Sequence, residues 1–219
     1  MNGDLERVYQ ICQYVRETNN GISFKQLIAR TRYAFNNSSL SVTIKTKKDN
    51  SFAPAEFSVS GFYDAEDDFN GDPPIEIVIN HNFTDKDKFD RLQIGLVLKE
   101  IYDATVHELR HQYQSIQRKY AIYSVHPQSP YDEYLSDPDE VDAYALSVAI
   151  ELLRNMPKHR AIKYMSRITA LSKIKQNNLL VSPNLQAYIS HFGLNNLTKK
   201  FAKKVYKHLE RLDNSLIFK

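Results

Sequence analysis

With 219 residues, 42% of them hydrophobic, the chain can bury a sizeable core, and its single cysteine, Cys12, excludes an intrachain disulfide. A formal net charge of +3 is too small to argue for a polyanionic partner, and no apolar run reaches membrane-spanning length. The opening Met1-Asn2-Gly3-Asp4-Leu5-Glu6-Arg7 lacks the basic-then-apolar form of a signal peptide, so a reducing, cytoplasmic setting without a membrane partner is expected.

Leu5, Val8, Ile11, Cys12 and Val15 recur at helical spacing, with Asp4 as the expected N-cap and Asn19-Asn20-Gly21 as the stop. Ser23 is placed to cap a second, short helix through Phe24, Leu27 and Ile28. The period then changes. Leu40, Val42 and Ile44 alternate with polar residues as a half-buried strand, residues 55–63 repeat the alternation through Phe57 and Val59, and Ile75, Ile77 and Ile79 make a third strand. Between the second and third strands, Asp64-Ala65-Glu66-Asp67-Asp68 and Asn70-Gly71-Asp72-Pro73-Pro74 read as a solvated connection without the ligand spacing of an EF-hand.

A long helix is expected from Thr84 or Asp85, apolar over much of its circumference and therefore central to its domain. Residues 120–139 read as a loop, interrupted by Pro127, Pro130 and Pro138. Helical patterns return over residues 140–155, 158–175, 183–191 and 197–212. The expectation is an α+β fold: a small, mostly antiparallel sheet packed on the long helix, with a helical C-terminal half. Residues 1–150 would form the core and residues 151–219 a helical part packed on it.

Within the long helix stands Thr105-Val106-His107-Glu108-Leu109-Arg110-His111-Gln112, an H-E-x-x-H motif. Histidines four residues apart stand on one helical face, the spacing at which two neutral imidazoles share a zinc ion. Glu108, rotated about 100° from His107, can flank the metal without ligating it and act as a base toward a water there. Asp103, one turn earlier, is placed to hydrogen-bond a ligand histidine.

A catalytic zinc takes three protein ligands and a water. Gln114 and Gln117 occupy the places where metzincins carry a glycine and a third histidine, which excludes that family. The next candidates lie in Ser136-Asp137-Pro138-Asp139-Glu140-Val141-Asp142-Ala143-Tyr144-Ala145, where Ser136 or Asp137 can cap a helix and Pro138 suits its first turn. Glu140 would project from that turn, with the small Ala143 and Ser147 beside it. Here the chain resembles the zincin metallopeptidases, and among them the gluzincin pattern of H-E-x-x-H followed by a Glu on a later helix. The P-x-E-x-x-A-Y-A string is similar to the second motif of small bacterial and phage-borne members.

The resemblance covers residues 75–150. It implies that His107, His111 and Glu140 hold one zinc ion, that Glu108 is the general base, and that the substrate is a protein or peptide. The 28 residues between His111 and Glu140 exceed the thermolysin-like gap, and Asp139-Glu140 stands where an Asn-Glu pair is usual. Asp139 and Asp142 therefore stay as alternative ligands.

The oxyanion of peptide hydrolysis needs a donor besides the metal. Tyr123, His126, Tyr131, Tyr134 and Tyr144 lie in or beside the loop, and Tyr134, six residues before Glu140, is the favoured one. Residues 75–79 resemble the zincin edge strand that pairs with an extended peptide. A different class of function, nucleic-acid association by a non-catalytic zincin-fold protein, would use Lys199, Lys200, Lys203, Lys204 and Lys207 on the last helix, whose packing face is Leu197, Phe201, Val205, Leu209 and Leu212. A solvated lysine face is the plainer account of them.

Overall fold

A computed structural model describes residues 2–84, 86–120, 131–169 and 181–219. They form two compact units, Met1–Ile122 with Phe218–Lys219, and Tyr123–Ile217. Residue 150, the expected boundary, lies inside the helix Pro138–Asn155 of the second unit.

The first unit opens with α1 (Asn2–Glu17), whose Leu5, Val8, Cys12 and Val15 are buried and which packs on α4 (Arg91–Gln117). Because α1 starts at Asn2, Asp4 lies inside its first turn instead of capping it. There it still favours the positive end of the helix and pairs with Arg7 at 3.0 Å. Ser23 closes a two-residue strand (β1, Ile22–Ser23) and caps α2 (Phe24–Asn36) in a reciprocal capping box with Gln26.

Three strands, β2 (Val42–Lys48), β3 (Phe57–Tyr63) and β4 (Ile75–His81), form a sheet in the order β2-β4-β3. The sheet is mixed, where a mostly antiparallel one was expected. β4 runs parallel to β2, with Val42 opposite Ile75, and antiparallel to β3, with Gly61 opposite Ile77. β4 is therefore the central strand, bonded on both sides, and the edge role expected for residues 75–79 is overturned. Its Ile75, Ile77 and Ile79 are at most 1% exposed, as suits a strand buried by its neighbours.

The acidic stretch is also a correction. It folds as a short helix, α3 (Ala65–Asn70), with Asp64 accepting from the amides of Glu66 and Asp67. Gly71, at φ 85°, closes it in the left-handed region. Acidic side chains in the first turn favour a helix that hydropathy alone would not find.

The long helix begins later than expected. Thr84 closes a turn on the Asp87 carboxylate, and β5 (Lys88–Phe89) pairs with β1. Asp90 then caps α4 in a second capping box, with Gln93. Ile94, Leu98, Ile101, Tyr102 and Val106 of α4 are buried, against α1 on one side and β3 and β4 on another. Leu92 and Leu96 stay 73% and 52% exposed, so the first turns keep an outward apolar face.

In the second unit, α5 (Tyr131–Ser136) replaces part of the expected loop. Asp137 caps α6 (Pro138–Asn155) by accepting from the amides of Asp139 and Glu140, with Pro138 in the first turn. α7 (Lys158–Thr169), α8 (Pro183–Phe192) and α9 (Asn196–Arg211) follow, and α9 packs on both α6 and α7 through Phe201, Val205 and Leu209. Lys158 Nζ donates to the carbonyls of Glu210 (2.9 Å) and Leu212 (3.0 Å), placing a cation at the negative end of α9. No helix among the described residues is long and apolar enough to cross a membrane.

Candidate metal centre

His107 and His111 lie one turn apart on α4, half-buried, with Nε2 atoms 3.2 Å from each other and ring planes at 69°. Two nitrogens bound at zinc–imidazole lengths to one tetrahedral ion stand about 3.3 Å apart. The pair thus already has the separation of two ligands of a single ion, and neutral imidazole is a donor that zinc favours.

Glu108 faces the sheet. It is buried, 7% exposed, and lies against Gly61 of β3. A Cβ at Gly61 would fall 2.6 Å from both Cγ and Oε1 of Glu108 and 2.9 Å from Cδ. Positions 57, 59, 61 and 63 of β3 are the half-buried ones, while Ser58, Ser60 and Phe62 are exposed. The Glu108 side chain accordingly takes the place that a side chain at position 61 would fill. Gly61 escaped the sequence reading, although a glycine inside an alternating strand is the mark of close approach by another group.

The turn after the motif is tied to α3. Gln112 Nε2 donates to Asp68 Oδ1 at 3.0 Å, and the Tyr63 hydroxyl donates to Asp68 Oδ2 at 2.9 Å. Burial chiefly, with a further push from the Asp68 carboxylate, raises the Tyr63 phenol well above its ordinary range, so it remains a donor. Asp68 of α3 thereby joins β3 to α4 at Gln112, one residue beyond His111. Asp103, expected to support a ligand histidine, meets Lys99 at 3.4 Å, one turn toward the helix start.

The other expected site residues belong to the second unit. Glu140 is half-buried in the first turn of α6, its amide 3.3 Å from Asp137 Oδ1. Asp142, an alternative ligand, is engaged within that unit: its Oδ1 lies 3.2 Å from the buried His208 Nε2 and 3.5 Å from Lys204 Nζ. Asp139 is half-buried beside Glu140. Tyr134 is half-buried in α5 and Tyr144 in α6. Tyr131 belongs to α5, and Tyr123 and His126 lie outside the described residues. Of the α9 lysines, Lys200, Lys203 and Lys207 are exposed and Lys199 half-buried, whereas Lys204 also donates to the Pro138 carbonyl at 2.9 Å. Part of that basic face therefore holds α9 onto the start of α6.

No protein-family model matches the chain, nor does any curated protein or solved structure. The reading of the site rests on its own chemistry.

Proposed function

We propose that this protein is a zinc-dependent metallopeptidase of zincin type, in which His107, His111 and Glu140 hold one zinc ion and Glu108 is the general base. The observation that carries the reading is the His107–His111 pair, set at the separation of two ligands of one ion with a buried carboxylate between them in sequence. Bound zinc would supply Lewis acidity toward a water and toward the carbonyl of the scissile bond. Glu108 takes a proton from the attacking water and passes it to the departing amine. A site that served only to stabilise a fold would have no use for that carboxylate.

The sheet supports a place for the substrate. Among the described strands β3 pairs only with β4, and in this reading its other edge receives an extended peptide. The role expected of residues 75–79 passes to Phe57–Tyr63. Glu140 is the third ligand in this reading, at the place the gluzincin pattern gives it, with Asp139 and Asp142 as the alternatives. Tyr134 is the oxyanion donor in this reading.

Elemental analysis of the purified protein, followed by peptidase assays, tests the proposal. About one zinc per chain is expected. Glu108→Gln should keep the metal and lose roughly 10²–10⁴-fold in kcat. Zinc-free protein that takes up none on titration would overturn the reading, as would full activity in the Glu108→Gln variant.

A further inference from the structure

We propose that Gly61 is the positioning residue for Glu108, and that the missing side chain in the inward row of β3 is a built seat for that carboxylate. The catalytic part of this inference rests on the peptidase reading; the structural part does not. Glycine weakens a strand interior, so its presence in β3 needs a cause. Backbone conformation does not supply one: the glycines at positive φ are Gly21, Gly71 and Gly193, and Gly61 sits in regular antiparallel register opposite Ile77. What remains is room. The atoms a Cβ would strike include Glu108 Cγ as well as Oε1, so swinging the carboxylate tip alone cannot relieve the overlap. The side chain would have to leave the strand from its first torsions outward.

The seat has a functional consequence. Glu108 rests on the same strand whose open edge is proposed to receive the peptide. The distance from base to substrate backbone is then set by one strand rather than by the packing of two loops, which is the kind of rigid support that general-base catalysis needs.

A double-mutant cycle tests the seat without reference to activity. In zinc-free protein, Gly61→Ala should lower Tm by about 3 °C or more, as overpacking in a domain of this size does. In a Glu108→Ala background, where Cγ and the carboxylate are gone, the same change should cost under about 1 °C. If Gly61→Ala alone fails to fold, recovery of folding in the double variant supports the seat. An equal loss in both backgrounds overturns it. The zinc-loaded Gly61→Ala enzyme should bind zinc within about threefold of wild type and keep KM, while kcat falls at least tenfold. Unchanged kcat overturns the positioning role. Absence of peptidase activity in the wild type would strike the peptidase reading and leave the thermal cycle to decide on Gly61.

Discussion

At the scale of single residues, the chemistry is concentrated where a helix forces neighbours together. The i, i+4 spacing brings His107 and His111 to one face, and the observed 3.2 Å between their Nε2 atoms leaves little reorganisation for a metal to impose. If the proposed zinc site holds, replacing either histidine by alanine is expected to weaken zinc binding at least about 100-fold, measured by competition with a chelating dye, because one of three metal–ligand bonds is lost. Glu140→Ala should weaken it comparably and Asp142→Asn far less; the reverse order would reassign the third ligand. Cys12 supplies a separate check. It is fully buried, its thiol donates to the Leu98 carbonyl at 3.8 Å, and burial followed by the nearby Asp103 charge pushes its pKa far above the ordinary range. A thiol reagent at mildly alkaline pH should leave Cys12 untouched in the folded protein and label it completely in denaturant.

At the scale of elements, signals carried by neighbouring residues are legible in the sequence and strand pairing is not. Ser23, Asp137 and the alternation of β2, β3 and β4 are legible because capping and pleat depend on residues a few positions apart. α4 starts at Arg91 and not near Thr84 because the Thr84 amide donates to Asp87 in a turn, leaving Asp90 to cap. Asp90→Ala should cost about 1 kcal/mol of stability by denaturant unfolding, the usual loss for a capping side chain. His81 at the end of β4 gives a pH dependence. It packs against Phe24 with centroids 4.2 Å apart and ring planes tilted by 48°, and it stands opposite Lys48 of β2. Burial first, then Lys48, hold its pKa below the ordinary 6.5. The folded chain therefore binds fewer protons than the unfolded chain near that pH, so the His81 contribution is present above it and is lost as pH falls toward the depressed value. Between about pH 8 and pH 5, wild type should lose more stability than a His81→Gln variant; equal losses would show that His81 is not the titrating group.

At the scale of the whole molecule, the expected readout is ligand linkage. A metal that binds the folded chain and not the unfolded one stabilises it by mass action, about 2.7 kcal/mol at 100 times the dissociation constant. Tm should therefore rise with added zinc and return on chelation, and the His107→Ala variant should show no such rise. The sequence by itself determined what depends on short separations: the helical and strand periods, the caps at Ser23 and Asp137, the H-E-x-x-H face, and the lone cysteine on the apolar face of its helix. The tertiary structure decided what depends on distant partners. Among the described residues it made β4 central and put β2 and β3 at the two edges of the sheet, because strand order is chosen by packing that no local pattern encodes. It also paired Asp142 with His208 and set Glu108 into the space left by Gly61, contacts between residues far apart in the chain that only the folded backbone brings within reach.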